Sequence, residues 1–151
     1  MIRILMVCLG NICRSPLTHG ILESKLDTEY FIVDSAGTSK YHIGSLPDKR
    51  SIAVAKKNNL DITNQRGRQF VVEDFEMYNY IYVMDKSNFE NITKMARNVE
   101  DIAKVKLILN ESYPSKNLEV PDPYYGGDFG FDTVYKMLEE ACNTIVNKLK
   151  Q

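Results

Sequence analysis

The sequence predicts an α/β fold in which helices pack on a parallel β-sheet. Three observations predict it: apolar runs of strand length recur along the chain, helical apolar patterns alternate with them, and the first run is almost uninterrupted. Helices cover both faces of a parallel sheet, so its strands carry continuous rather than alternating apolar residues. At 151 residues the chain has the size of one ordinary domain. We therefore expect one domain over residues 1–151.

The first strand and the first helix are predicted at the N-terminus. Residues 2–7 form an apolar run that only Arg3 interrupts, which is typical of a central parallel strand. Ser15 and Pro16 predict the start of a helix, because serine is a good cap and proline is favoured at the first helical position.

The next elements follow in order. Residues 30–34 predict a second strand, and the polar stretch 35–46, which contains two glycines, predicts a loop. Pro47 predicts the start of a second helix, which we expect to end at residues 58–59. Residues 60–69 have no regular pattern.

The second half of the chain supplies two strands and a closing helix. Residues 80–84 predict a third buried strand and residues 105–109 a weaker fourth. The stretch 112–130 contains three prolines and three glycines, which indicates a long loop. An apolar stripe at helical spacing then predicts the closing helix: Val134, Met137, Leu138, Ala141, Ile145, Val146 and Leu149.

Charge and cysteine content limit the classes of function. With 19 basic and 20 acidic residues the net charge is −1, so no overall positive charge favours nucleic acid, and any anion site must be local. No stretch has the roughly 18 apolar residues that span a membrane, and the N-terminus lacks the features of a signal peptide. Three cysteines do not make a disulfide framework. We expect a cytoplasmic protein, with export without a signal as the alternative.

The segment after the first strand, from Cys8 to Ser15, has the properties of an oxyanion site. Ligands of open α/β sheets bind at the carboxyl ends of strands, where this segment lies. Gly10 and Asn11 tolerate positive φ, which lets successive backbone N–H groups turn inward around an anion. The guanidinium group of Arg14 can donate two hydrogen bonds to one anion, and the N-terminus of the helix adds the positive end of the helix dipole. The same surroundings favour a thiolate at Cys8, and Ser15 is placed to donate a hydrogen bond to the sulfur.

These residues resemble the signature of the low-molecular-weight protein tyrosine phosphatases, a strand followed by C-x5-R-S near the N-terminus. The likeness covers the whole chain, because residues 34–38 (DSAGT), 84–88 (MDKSN) and 121–125 (PDPYY) also match family landmarks. The resemblance implies a three-layer α/β/α, flavodoxin-like fold whose four parallel strands have the order 2-1-3-4.

The resemblance also implies a mechanism. Cys8 attacks phosphorus and forms a phosphocysteine, which water hydrolyses, while Arg14 and the loop amides hold the phosphate oxygens. Asp122 acts as general acid and then as general base. Ser35 and Asp85 support the loop, and neither a metal nor another cofactor is needed.

The resemblance further implies a deep slot that suits phosphotyrosine. Tyr124 and Tyr125 form one wall and Tyr41 the other, while Leu9 and Ile12 frame the entrance. The full set of substrate-binding residues that we expect is Leu9, Gly10, Asn11, Ile12, Cys13, Ser15, Tyr41, Tyr124 and Tyr125. Kinase phosphorylation of the two adjacent tyrosines is a further possibility that the sequence leaves open.

One position departs from the family pattern. Members often carry a histidine, hydrogen-bonded to the acidic residue of the M-D segment, shortly before an Arg-Gln pair. Here Arg68 and Gln69 match the pair, but Gln65 occupies the histidine position. We therefore expect Asp85 to have a different partner.

Several residues have competing interpretations. Cys13 either forms a reversible disulfide with Cys8 or is a small packed residue, and Cys142 lies on the apolar stripe of the closing helix and is interpreted as core. A zinc site built from Cys8, Cys13 and His19 is disfavoured, because no fourth ligand is evident and Arg14 would repel the metal. We interpret His19 and His42 as surface or loop residues.

Three alternative functions compete with that of a tyrosine phosphatase. Arsenate reductases of this fold need further cysteines, and none lies between Cys13 and Cys142. Protein-arginine phosphatases carry a threonine where Ile12 stands. A phosphate-binding module without catalysis would lack one of the catalytic residues. The expected partners are tyrosine-phosphorylated proteins and inorganic phosphate or other oxyanions, with no nucleic acid or membrane. We expect a monomer, with a weak dimer as the alternative.

Overall fold

The computed structural model describes residues 1–123 and 128–150, with only the backbone described at 128 and 129. Its centre is a four-stranded parallel sheet with the strand order β2-β1-β3-β4, as predicted. The strands are β1 (Ile2–Cys8), β2 (Phe31–Gly37), β3 (Tyr80–Val83) and β4 (Val105–Leu107).

Helices pack on both faces of this sheet. They are α1 (Arg14–Lys25), α2 (Lys49–Lys57), α3 (Asp74–Met77), α4 (Lys86–Thr93), α5 (Val99–Ala103), α6 (Leu109–Ser112) and α7 (Asp128–Leu149). Ile4 and Met6 of β1 belong to the core that contains α1 and α7, whereas Leu5 and Val7 belong to the core on the opposite face. All four are completely buried, which explains why the strand is apolar without alternation.

The second strand is longer than predicted. The prediction ended it at residue 34, but residues 35–37 pair in parallel with residues 6–8 of β1. Gly37 is required there, because a Cβ would lie 2.9 Å from the carbonyl oxygen of Leu9 and 3.0 Å from the backbone nitrogen of Asn11. This close approach places the end of β2 directly against the loop that follows β1.

The predicted starts of the first two helices are each off by one or two residues. Helix α1 begins at Arg14, and Ser15 lies inside its first turn because its hydroxyl faces Cys8 and Asn11 instead of capping the helix. Helix α2 begins at Lys49 rather than at Pro47, and Asp48 is its cap, with the side chain accepting a hydrogen bond from the Arg50 N–H. A side chain thus caps α2, whereas no side-chain hydrogen bond caps α1.

Four short helices, α3 to α6, were not predicted. They have four to eight residues, too few for an apolar helical repeat to be recognised. Two of them begin with a capping residue that the sequence shows: Asp85 caps α4 and Asn98 caps α5, each through a side-chain hydrogen bond to a backbone N–H group. The third and fourth strands end at Val83 and Leu107, earlier than predicted.

The predicted loop over residues 112–130 is shorter in the structure, because α7 already begins at Asp128. Tyr124 and Tyr125 lie outside the described residues. In the part of the chain that the structure describes, no helix combines the length and apolar character that crossing a membrane requires.

Candidate active site

A pocket opens where β1 ends, at the carboxyl edge of the sheet. Its floor is the loop that connects β1 to α1, and its sides come from the segment after β2 and from the Asp122 segment. The lining residues are Cys8, Leu9, Gly10, Ile12, Cys13, Arg14, Ser39, Tyr41, His42 and Asp122. The structure thus brings most of the predicted loop residues together with the predicted wall residue Tyr41 and the distant carboxyl group of Asp122. Asn11 and Ser15, which were also predicted to bind substrate, are buried and do not line the pocket.

Cys8 is the last residue of β1 and is held by the first turn of α1. Its side chain is buried, and its Sγ lies 3.0 Å from the Ser15 Oγ, the contact that the sequence predicted. The Ser15 hydroxyl also lies 3.2 Å from the Oδ1 of Asn11. The Ser15 hydroxyl and the start of a helix therefore meet at the sulfur.

Asn11 gives the loop its turn. Its φ is 56°, in the left-handed region that asparagine tolerates better than most residues. Gly10, which was also expected to provide positive φ, does not adopt it in the structure. A Cβ at this position would lie 3.0 Å from the His42 ring, which would have to shift to make room for it.

Arg14 is buried, and its guanidinium group is fixed by two acceptors. Its Nη1 donates to the Oδ2 of Asp85 at 2.8 Å and to the carbonyl oxygen of Val120 at 2.9 Å, while its Nη2 lies 3.8 Å from the Oδ2 of Asp122. Burial works against the charged form, but Cys8 and the two carboxylates outweigh it and raise the pKa of Arg14. The guanidinium group is therefore charged and oriented at the edge of the pocket.

Asp85 has the different partner that the departure at Gln65 implied. It pairs with Arg14, and its Oδ1 accepts from the backbone N–H of Asn88. Gln65 instead donates to the carbonyl oxygen of Pro16. The support that Asp85 gives the site thus runs directly to the guanidinium group.

Asp122 is held over the pocket by its neighbours in the chain. The Val120 N–H donates to the Met84 carbonyl oxygen at 2.8 Å, which ties this segment to the end of β3. Pro121 and Pro123 restrict the backbone on either side of Asp122. About one-third of the Asp122 side chain is exposed, so the carboxyl group faces both Arg14 and solvent.

The other two cysteines differ from Cys8 in their surroundings. Burial, with the nearby Asp48, Cys8 and Asp122, raises the pKa of the Cys13 thiol to about 12. Burial also raises the pKa of Cys142 to about 12, and this residue lies in the core as predicted. At neutral pH both remain thiols. All three cysteines are free, and a disulfide between Cys8 and Cys13 stays a prediction.

His42 lies in the loop after β2, as interpreted from the sequence, whereas His19 lies in α1 and is largely buried, which corrects that interpretation. His42 lines the pocket against Gly10, beside Tyr41, whose side chain is 85% exposed. His19 is only 14% exposed, and its Nδ1 lies 3.2 Å from the Ser35 Oγ. The one sequence feature that could have placed His42 at the pocket is its position next to Tyr41. No local sequence pattern indicates the contact between His19 and Ser35.

The Ser35 side chain lies close to the loop that follows β1. Its Oγ lies 3.5 Å from the Nδ2 of Asn11. Within residues 1–123 and 128–150, no group of three His, Cys, Asp or Glu side chains is arranged to hold a metal ion.

The arrangement suits displacement at a tetrahedral oxyanion. A nucleophilic sulfur, a fixed guanidinium group and a carboxyl group face one pocket, and a helix begins at its floor. A bound oxyanion would be held by Arg14 and the loop while Cys8 attacks it. The Asp122 carboxyl group lines the same pocket, 3.8 Å from the Nη2 of Arg14.

Comparison with known proteins gives one consistent result. The family model for low molecular weight phosphotyrosine protein phosphatase matches residues 3–151. The human low molecular weight phosphotyrosine protein phosphatase is 40% identical over 151 residues, which cover 96% of this chain and 94% of the human protein.

Solved structures agree with this result. The protein tyrosine phosphatase of Entamoeba histolytica, crystallised with Hepes in its active site, has a TM-score of 0.90 and 34% identity, over 99% of this chain and 97% of that one. The Drosophila arginine phosphatase has a TM-score of 0.88 and 30% identity over 98% of each chain.

Proposed function

The chain belongs to the low molecular weight phosphotyrosine protein phosphatase family, and from this premise we propose that it hydrolyses phosphotyrosine in proteins through a phosphocysteine on Cys8. One observation carries the proposal: Cys8, Arg14 and Asp122 line the same pocket, although 108 positions separate Arg14 from Asp122 (122 − 14 = 108). Nucleophile, phosphate clamp and acid are thus present together.

In the first step the Cys8 thiolate attacks phosphorus. The S–P bond forms as the bond from phosphorus to the phenolic oxygen breaks. Asp122 transfers its proton to that oxygen, because a phenol, with a pKa of about 10, leaves poorly as an anion at neutral pH. Arg14 and the loop N–H groups stabilise the charge on the three remaining phosphate oxygens.

In the second step water replaces the sulfur. Asp122, now ionised, takes a proton from the attacking water, and the new P–O bond forms as the S–P bond breaks. The electron pair returns to Cys8, where the Ser15 hydroxyl, 3.0 Å from the sulfur, stabilises the departing thiolate. Inorganic phosphate is the product, and the enzyme is ready for another cycle.

The shape of the pocket supports an aryl phosphate as substrate. Its reactive sulfur is buried at the floor, while the Tyr41 side chain stands at the rim. A tyrosine side chain is long enough to carry phosphate to that floor, whereas phosphoserine is too short. Tyr124 and Tyr125, which we propose as the second wall, lie outside the described residues.

Phosphoarginine is the main competing substrate, because an arginine phosphatase is among the similar structures. Ile12 lines the pocket and is bulkier than the threonine expected in an arginine phosphatase. Arsenate reduction is disfavoured by the lack of cysteines between Cys13 and Cys142. We further propose that the protein acts as a monomer in the cytoplasm, a reducing compartment that suits its three free thiols.

The substrate proposal predicts a clear order of rates. On peptides carrying phosphotyrosine, phosphoserine or phosphoarginine, kcat/KM should be highest for phosphotyrosine by about 10²-fold or more, because the others misplace phosphorus in the pocket. Arsenate should not be reduced. The matched variant Ile12→Thr should gain rate with phosphoarginine. Preference of the unaltered enzyme for phosphoarginine would overturn the assignment, and binding of phosphotyrosine without release of phosphate would indicate a binding module.

Asp122→Asn should lower the rate by about 10²-fold with a substrate whose leaving group is poor, such as phosphotyrosine, from which the phenol of tyrosine must leave. The loss should be smaller with an aryl phosphate whose phenol is strongly acidic, because that leaving group needs no proton. The measurement is kcat/KM across a series of aryl phosphates of increasing phenol pKa, because kcat/KM reports the step in which the phenol leaves. Asp61→Asn is the control, since Asp61 is exposed and its side chain contacts Thr63. An equal loss across the whole series would remove Asp122 from the role of acid.

A further inference from the structure

A continuous hydrogen-bond chain connects the reactive sulfur to a polar groove, whose lining includes His19, Glu23 and Ser35. The Ser15 Oγ lies 3.0 Å from the sulfur and 3.2 Å from the Oδ1 of Asn11, whose Nδ2 lies 3.5 Å from the Ser35 Oγ. The Nδ1 of His19 lies 3.2 Å from the same Ser35 oxygen. The members of this chain are Cys8, Ser15, Asn11, Ser35 and His19.

The inner members of this chain are sealed from water. Ser15, Asn11 and Ser35 are exposed by 0%, 3% and 8%, so water cannot easily replace a hydrogen bond that one of them loses. His19 is the outer member, and histidine is the side chain whose charge ordinarily changes between pH 5 and 8. A titratable group thus stands at the solvent end of the chain that leads to Cys8.

The charges that face His19 come from three elements. On α1 the Oε2 of Glu23 lies 3.4 Å from its Nε2, and this hydrogen bond lowers the pKa of Glu23. Asp34 of β2 lines the same groove, but its carboxylate accepts a hydrogen bond from the Tyr78 hydroxyl. Arg68, in the segment before α3, also lines the groove and pairs with Asp74. Arg66, the remaining charged residue of the groove, donates to the backbone carbonyls of Thr63 and Gln65. Glu23 is therefore the charged partner closest to the imidazole.

The donors and acceptors of the chain fit a neutral imidazole. Ser35 accepts from the Asn11 amide and has one hydroxyl proton, which a bare Nδ1 of His19 accepts while the Nε2–H donates to Glu23. A protonated imidazole donates from both nitrogens, so the Ser35 proton must then turn away from His19. Protonation of His19 consequently changes the hydrogen bonding of Ser35, which holds the Asn11 side chain.

We propose that His19 is a positioning residue, which in its neutral form holds Asn11, and through it Ser15, in the arrangement that keeps Cys8 reactive. It touches neither substrate nor sulfur and acts through the buried side chains between. Protonation of His19 at low pH loosens this arrangement and lowers activity. Gln65 does not take part, since its amide donates to Pro16. The kinetic readout of this inference rests on the proposed phosphatase activity.

The test compares pH profiles of kcat/KM for three variants. His19→Ala should lower kcat/KM at pH 7.5 by about tenfold, the cost of one buried hydrogen bond at the loop. His19→Asn retains an acceptor near the position of Nδ1 but does not titrate. It should therefore restore most of the rate and remove the His19 ionisation from the acid limb, the fall in kcat/KM at low pH. Glu23→Gln should move that limb to lower pH, because removing the carboxylate destabilises the imidazolium.

A second readout keeps the inference apart from the proposed function. The rate at which iodoacetamide alkylates Cys8, with the modified cysteine identified by mass spectrometry, should show the same His19-dependent inflection even if phosphotyrosine is not the substrate. NMR titration follows the two histidines directly, and His19→Asn assigns their signals. The proposal would be overturned if His19→Asn and Glu23→Gln both kept the low-pH fall in kcat/KM and the alkylation profile of the unaltered enzyme. This holds even if His19→Ala is slow.

Discussion

Replacing Cys8 with serine is expected to reduce phosphotyrosine hydrolysis by about 10⁴-fold or more, because it removes the nucleophile on which both steps depend. A serine hydroxyl does not ionise at neutral pH, and an alkoxide would be a poor leaving group in the second step. The fold should survive, since the side chain is close in size and the Ser15 hydroxyl 3.0 Å away can bond to oxygen as well as to sulfur. Single-turnover release of phosphate provides the measurement.

Binding separates loss of chemistry from loss of structure in this variant. Cys8→Ser should still bind inorganic phosphate, because Arg14 and the loop amides are unchanged. The control is Cys142→Ala, which alters a buried cysteine of the core and should retain activity. Activity within tenfold of the unaltered enzyme would show that another group attacks phosphorus. Cys13 would be a poor substitute, since burial and its neighbours raise its thiol pKa to about 12.

The parts of the fold that the sequence predicted are those with local signals. The continuous apolar character of β1 follows from burial on both faces, and the residues from Cys8 to Ser15 lie together because they are consecutive. The end of β2 was missed because Ser35 and Gly37 are typical loop residues. They pair with β1 because the loop after β1 packs closely on Gly37, which is a tertiary contact.

The unpredicted parts of the site are contacts between distant segments. Arg14 and Asp85 are 71 positions apart, and His19 and Ser35 lie on different elements. Periodicity and capping rules describe neighbours in sequence, so they cannot indicate which side chain meets which across the fold. The resemblance predicted that Ser35 and Asp85 support the loop, but the partners of both residues were found only in the structure.

Replacing Arg14 with lysine should lower kcat/KM by about 10³-fold, even though the positive charge is retained. In the structure one guanidinium nitrogen holds Asp85 and the Val120 carbonyl, while the other lies 3.8 Å from Asp122 at the edge of the pocket. Lysine has a single nitrogen, which cannot hold these acceptors and two phosphate oxygens at once. Since Val120 lies two residues before Asp122, the proposed general acid, we expect the same change to loosen the position of Asp122 as well.

The two effects of Arg14→Lys are measured separately. Weaker binding of phosphate reports the lost clamp, and a steeper dependence of kcat/KM on the pKa of the leaving phenol reports the displaced acid. Arg97→Lys is the matched control, because Arg97 is an exposed arginine that pairs with Glu76 and Asp101, and its rate should change less than about twofold. If Arg14→Lys stays within tenfold of the unaltered enzyme, positive charge alone suffices at this position. The paired geometry of the guanidinium group would then not be what stabilises the transition state.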